Sequence, residues 1–318
     1  MARVFSGLKA HPPPVGPSVG GSATHPRGSR SAFGAPGTEP RWTHSNKDGV
    51  GTAYSGDSRL WFTVWRGILT EAYFPNIDRP QMRDLELLFS DGEKFVHEEK
   101  RDLVPVVERI DSHALGYRVR SRPREGGYSL LKEVISAPHL PCLLQRVRLT
   151  AEPEGRSPTS VYVLCAPHLG GGGWGNSAQV YEGLGSPVLV AEKGGIWLAL
   201  GTAPRLVTAS VGFVGQSDGW TDLVSHKRLE WEFDTAVAGN IALTGELRLP
   251  GASDFTVGVA FGHSVQAATS ALYQSLSVPF EELKQRFIRQ WHRSRPLPRP
   301  SDSPHQGERH FAHGNYCL

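Results

Sequence analysis

Cysteine is scarce in this chain of 318 residues: three in all, at Cys142, Cys165 and Cys317. The number is odd, no two form a Cys-x-x-Cys pair, and two sit inside apolar runs. A disulfide framework and a zinc knuckle are both excluded on that count. No apolar run approaches the roughly 20 residues of a membrane span. The N-terminus lacks the apolar core of a secretory signal, so the chain reads as cytoplasmic, with no membrane partner. A Gly-x-Ser-x-Gly elbow is absent, and neither interior cysteine has the polar setting of a reactive thiolate. Strands do not alternate with helices, which argues against a doubly wound sheet. A cationic folded surface is lacking too. The net charge is +3, yet residues 1–31 carry four bases and no acid, and residues 293–318 add two more positive charges. Residues 32–292 are left with a net −3, so no nucleic-acid footprint is visible.

Glycine and proline are abundant instead, at 36 and 24 residues, against 39% apolar residues. That balance suits many short strands joined by turns, flanked by unstructured ends. Residues 1–31 and 293–318 read as disordered tails. The histidines and cysteine of the second tail, His305, His310, His313 and Cys317, fit no zinc spacing, and no metal or other cofactor is expected. Between the tails, β-rich runs recur every 8–12 residues: 60–65, 68–74, 83–90, 93–97, 104–110, 116–122, 128–135, 142–150, 160–165, 179–182, 188–192, 196–200, 205–214, 228–233, 241–249 and 255–261. Turn signals separate them, among them Arg66-Gly67, Asp91-Gly92 and Lys193-Gly194-Gly195. The fold class is therefore all-β, an antiparallel sandwich over 32–262. Lys47-Asp48-Gly49-Val50-Gly51-Thr52-Ala53 reads as a turn, since it lacks the Gly-Lys-Ser/Thr end of a phosphate loop.

The period changes at Ser264, a helix N-cap. A second helix follows Pro279, with Glu281 and Glu282 in its first turn. Phe280, Leu283, Phe287, Ile288 and Trp291 fall on one face of it. Residues 263–292 thus form a helical linker whose apolar face must be buried, and the exposed face of this second helix, with the glycine loop, is the expected seam with a further domain. An uncovered seam would make residues 32–292 poorly soluble.

Ala166 to Asn176 (APHLGGGGWGN) is the stretch that invites a functional reading. An apolar strand runs into four glycines, followed by Trp174 and Asn176. Rings and amides suit a carbohydrate surface, but a glycine-rich turn with a core Trp has the same composition. Ser217 to Asp222 (SDGWTD) offers a second candidate, with Asp218 and Asp222 flanking Trp220 as a carboxylate pair for glycoside hydrolysis, or else an Asp-Gly turn. Asp78, Asp84 and Glu86 form a weaker acidic set, and His97, Glu98 and Glu99 read as a surface edge.

Several of these stretches together resemble the N-terminal domain of prokaryotic glucoamylases and glucodextranases, glycoside hydrolase family 15. They are Ala32 to Gly37 with Glu39 to Trp42, Lys47 to Tyr54, Tyr73 to Leu85 (YFPNIDRPQMRDL), Glu98 to Asp102 (EEKRD), Ala166 to Asn176 and Ser217 to Asp222. The resemblance covers about 32–292. It implies a large β-supersandwich that packs, through a helical linker, against an (α/α)6 barrel holding both catalytic glutamates of an inverting exo-acting α-glucosidase. No position here matches that acid or base, and after Trp291-His292 the chain departs from the family. The expectation is a supporting domain, inactive alone, whose partner is the barrel or an α-glucan. A stand-alone carbohydrate-binding module with Trp174 and Trp220 as stacking platforms is the alternative.

Overall fold

Two antiparallel sheets face each other in the computed structural model, which describes residues 25–26, 30–183, 185–248 and 253–293. The disordered tails expected at 1–31 and 293–318 lie almost wholly outside the described residues. The first sheet has eight strands, in the order Thr208–Phe213, Ile241–Arg248, Ser160–Pro167, Pro80–Ser90, Ile68–Tyr73, Trp61–Trp65 and Gly49–Thr52, with Val96–Glu98 also on Pro80–Ser90. The second has ten: His25–Pro26, Asn176–Gly183, Ser186–Lys193, Ile196–Ala203, Ser253–Gly262, Cys142–Ala151, Tyr128–Ser136, Tyr117–Pro123 and Leu103–Arg109, with Thr235–Gly239 beside Asn176–Gly183.

Period-2 alternation puts every second side chain into the space between the sheets. Leu85, Leu87 and Phe89 meet Val161, Val163 and Cys165 of the neighbouring strand, and Leu143, Val147, Phe255, Val257, Val259 and Phe261 face them from the other sheet. Cys142 and Cys165 are free and buried, and burial raises both thiols. Two-residue turns close hairpins at Arg66-Gly67 and Gly194-Gly195, where all four residues have φ between +48° and +80°. Such turns match the twist of the strands they join.

The α-helices among the described residues are α1 (Glu99–Asp102), α2 (Gly219–His226), α3 (Val265–Ser277) and α4 (Phe280–Arg293), of which α3 and α4 lie on the outer face of the ten-stranded sheet. Ser264 caps α3 by accepting the Ala267 N–H at 3.1 Å. Two glycines opposite each other on adjacent strands, Gly201 and Gly258, leave a dent for Leu272. A Cβ at Gly258 would stand 2.7 Å from Leu272 Cδ1. On α4, Phe280, Leu283 and Phe287 are buried against Ala53, Ala114, Ile135 and Ala137, and Lys284 reaches Glu133 at 2.8 Å. Each such side chain contributes about 1.5–3 kcal/mol through burial. The apolar face of α4 is thus buried, as expected, against the chain's own sheet, and the side left outside carries Glu281, Glu282, Gln285, Arg286 and Arg289.

Four local expectations are corrected. Gly49–Thr52 is an edge strand, its residues paired with Trp61 to Val64. Asp91-Gly92 opens a longer loop, because Asp91 Oδ1 accepts the N–H groups of Glu93, Lys94 and Phe95 and delays the strand to Val96. Arg228 to Phe233 is extended but unladdered, and the strand there is Thr235–Gly239. Ser217 to Asp222 enters a helix, α2 (Gly219–His226).

Candidate functional site

Strand Ser160–Pro167 delivers the glycine loop to one rim of the sandwich. His168 turns the chain, and Gly170, Gly171 and Gly175 take φ of +64°, +80° and +73°, values open to glycine and strained for other residues. Gly173 is required for a different reason: a Cβ there would lie 2.3 Å from Pro40 Cβ and 2.7 Å from His168 Nε2. Asn176 is fully buried and staples the loop from within. Its Oδ1 accepts the Leu169 N–H at 3.0 Å, and its Nδ2 donates to the carbonyls of Gly172 and Gly173 at 3.0 and 2.8 Å. With its amide spent in this way, Asn176 shapes the loop and offers nothing outward. Gln81 ties the loop to the neighbouring strand by accepting the Gly170 N–H at 2.7 Å and donating to Phe74 O at 2.6 Å. Trp174 is 45% exposed. His168 lies buried with its ring edge-on to Trp42. Burial, with Arg83 and Lys193 nearby, pushes its imidazole down to about 4.

Asp218 and Asp222 are also committed within the fold. Asp218 is the N-cap of α2: Oδ1 accepts the N–H groups of Trp220 and Thr221 at 2.9 and 3.1 Å, and Oδ2 accepts from Gly215 N–H and the Thr221 hydroxyl. Asp222 is wholly buried, with Oδ2 accepting the N–H groups of Glu230 and Trp231 at 2.8 and 2.7 Å and Oδ1 beside His226 Nδ1 at 2.7 Å. Carboxylates saturated by donors in this way are poor general bases. Trp220 is half-buried, with the Arg101 guanidinium 5.6 Å from its ring centre.

The second constellation lies on the outer face of the eight-stranded sheet, where the resemblance motifs MRD and EEKRD converge. The pairing of Pro80–Ser90 with Ser160–Pro167 slips at Arg83, from Met82↔Pro167 to Asp84↔Ala166. This bulge keeps Met82 in the core and turns Arg83 and Asp84 to the outside. Lys100 then gathers three carboxylates: Glu86 at 2.6 Å, Glu98 at 2.9 Å and Asp84 at 3.4 Å. Burial opposes the Lys100 ammonium, but Asp84, Glu86 and Glu98 outweigh it and hold it above its ordinary value. Burial raises Glu86 to about 8, against the pull of Lys100. The next residue in the motif, Glu99, points the other way, into the space between the sheets. It pairs there with fully buried Lys132 and accepts the Leu87 N–H at 3.0 Å. Lys132 escaped the sequence reading, although Tyr128, Leu130, Lys132 and Val134 alternate on the inward face and mark it as a core lysine. A cavity of about 220 Å³ opens beside this cluster, reaching Arg83, Glu86, Glu98, Lys100, Arg101 and Trp220.

Register places the remaining motifs together. The loops at 53–60, 74–80, 110–116, 137–141, 168–175, 194–195 and 214–218 all leave strand ends on one rim, as the pairs Thr52↔Trp61, Tyr73↔Pro80, Arg109↔Tyr117, Leu143↔Ser136, Lys193↔Ile196 and Phe213↔Ile241 require. The last turn of α4 reaches the same rim, with Trp291 against Tyr54 and His292 on Asp111 at 3.0 Å. Among the described residues, the aromatics with the greatest exposure, Phe33, Trp42, Tyr54 and Trp174, lie at this rim with Ile77.

Comparison with known proteins agrees with this anatomy. The family model described as glucodextranase, domain N, matches residues 32–294. A glucoamylase of Clostridium sp. (strain G0005) is 29% identical over 261 residues, which are 82% of this chain and 37% of that enzyme. A bacterial glucoamylase crystallised with acarbose superposes with a TM-score of 0.81 at 27% identity, over 85% of this chain and 40% of that one. The chain thus spans well under half the length of these relatives. Residues 32–294 place it in the glucodextranase domain N family, the N-terminal domain type of glucoamylase-like enzymes.

Proposed function

We propose that this domain is the β-sandwich support of an (α/α)6 catalytic barrel acting on α-glucans, and that its loop rim is the face the barrel covers. The observation that carries this reading is the gathering of the exposed aromatics, the glycine loop and the outgoing end of α4 on one rim. Large apolar side chains left exposed on one face are a usual mark of a partner surface. The chemistry of hydrolysis belongs to the partner. Asp218 and Asp222 are bound up in capping α2 and the turn after it, and Asp84, Glu86 and Glu98 share one lysine. An acid and a base facing each other across a glycosidic bond need freer carboxylates than these. Incubation of the purified chain with maltose, maltodextrin and dextran tests this directly. No glucose is released if the reading holds; turnover that persists through purification and is lost in Asp222→Asn contradicts it.

A further inference from the structure

The cavity on the outer face of the eight-stranded sheet adjoins the rim at the 214–218 loop, and the scaffold role makes no use of its charged wall. We propose that it is a binding site for a single hexopyranose. Three observations lead there. Glu86 is fully buried and lines the cavity, and its Oε2 has no hydrogen-bond partner, while Oε1 is held by Lys100. Arg83 Nε, on the same wall, is buried and unpartnered as well. Leaving such groups without partners is costly, and the two ask for opposite things, one an acceptor for N–H and one a partner for a carboxyl oxygen. A cation would satisfy only Glu86 and an anion only Arg83. A hydroxyl both donates and accepts, so a polyol offers what each of them asks for.

The remaining lining selects among polyols. Beside the charged residues on the same sheet face stand Leu164, Ala166 and Ala242, with Val214 and Trp220 also lining the cavity. One apolar side and one hydrogen-bonding side match a pyranose, which has a C–H face and a rim of hydroxyls. The volume of about 220 Å³ equals the space of about seven waters at roughly 30 Å³ each, the scale of one sugar ring. The site is built rather than accidental. The bulge at Arg83 aims the guanidinium outward, and the Glu99–Lys132 pair anchors the turn that presents Glu98 and Lys100.

Titration of the full chain with D-glucose and, separately, maltotriose, followed by the Trp220 indole N–H resonance, tests the proposal. A saturable shift is expected; equal affinity for both marks a site for the free sugar, and tighter maltotriose binding marks a chain-end site. Arg83→Leu and Glu86→Leu should each weaken binding by at least about tenfold, whereas Trp174→Ala on the rim should leave it unchanged. Should either cavity variant fail to fold, Ala242→Leu fills the apolar side and should abolish the shift at wild-type thermal stability. The proposal is overturned if neither sugar moves Trp220, if L-arginine moves it more strongly than glucose, or if Trp174→Ala removes binding that Arg83→Leu retains. None of these outcomes bears on whether a barrel docks at the rim.

Discussion

At the scale of single residues, polar groups inside this sandwich are held by specific partners, and the cost of removing a partner can be stated. Lys132 and Glu99 are both essentially inaccessible, so Lys132→Met leaves an unpaired carboxyl between the sheets. Loss of about 3–5 kcal/mol is expected in urea unfolding, with much of it regained in the double variant Lys132→Met/Glu99→Leu. His168 sets a pH dependence. Its folded pKa, about 4, lies below the ordinary 6.5, so between those values the unfolded chain binds the extra proton. The stability due to its neutral form is therefore complete above about pH 6.5 and is lost as the pH falls toward 4. An NMR titration should find this imidazole neutral at pH 5, where an exposed histidine is charged. Asp222→Ala strands the N–H groups of Glu230 and Trp231 and should cost about 1–3 kcal/mol on thermal or urea unfolding. A variant with native stability would show that Asp222 is not structural.

At the scale of elements, the two long helices were plain in the sequence and the short one was not. Ser264 as a cap and the apolar offsets from Phe280 to Trp291 are strong local signals, and α3 and α4 form where those signals fall. α2 has eight residues, too few to display a period, and its Asp218-Gly219 start is indistinguishable from a turn until the cap bonds are seen. Thr235–Gly239 is made of small residues and pairs with a strand 63 positions away in sequence at Asn176↔Gly239, so tertiary contact decides it. The outer-face cavity draws on segments from Arg83 to Ala242. Its charged residues lay in quoted motifs, but their convergence depends on a bulge that no local pattern announces. Packing of α4 gives the test at this scale. Phe287→Ala should destabilise by about 3–5 kcal/mol, while Arg286→Ala, on the outward side, should change stability by less than about 0.5 kcal/mol. Equal effects would mean that α4 is not docked on the sheet.

At the scale of the whole molecule, the apolar surface is divided between two fates. Helices α3 and α4 cover part of the outer face of the ten-stranded sheet, while Val104 and Val106 on its edge strand stay exposed. The aromatics with the greatest exposure among the described residues, Phe33, Trp42, Tyr54 and Trp174, stay open at the rim with Ile77. Glycine backbone strain and buried staples such as Asn176 and Gln81 hold that rim in one shape, which is what a preorganised docking face needs. The central claim is that this rim receives the catalytic barrel. Its most direct test is calorimetric binding of this chain to the portion of the Clostridium glucoamylase that it does not cover. Association is predicted, weakened at least about tenfold by Ile77→Asp or Trp174→Asp, with no change in Val106→Asp on the far edge strand. Association unaffected by both rim substitutions, or abolished by Val106→Asp alone, would contradict the account.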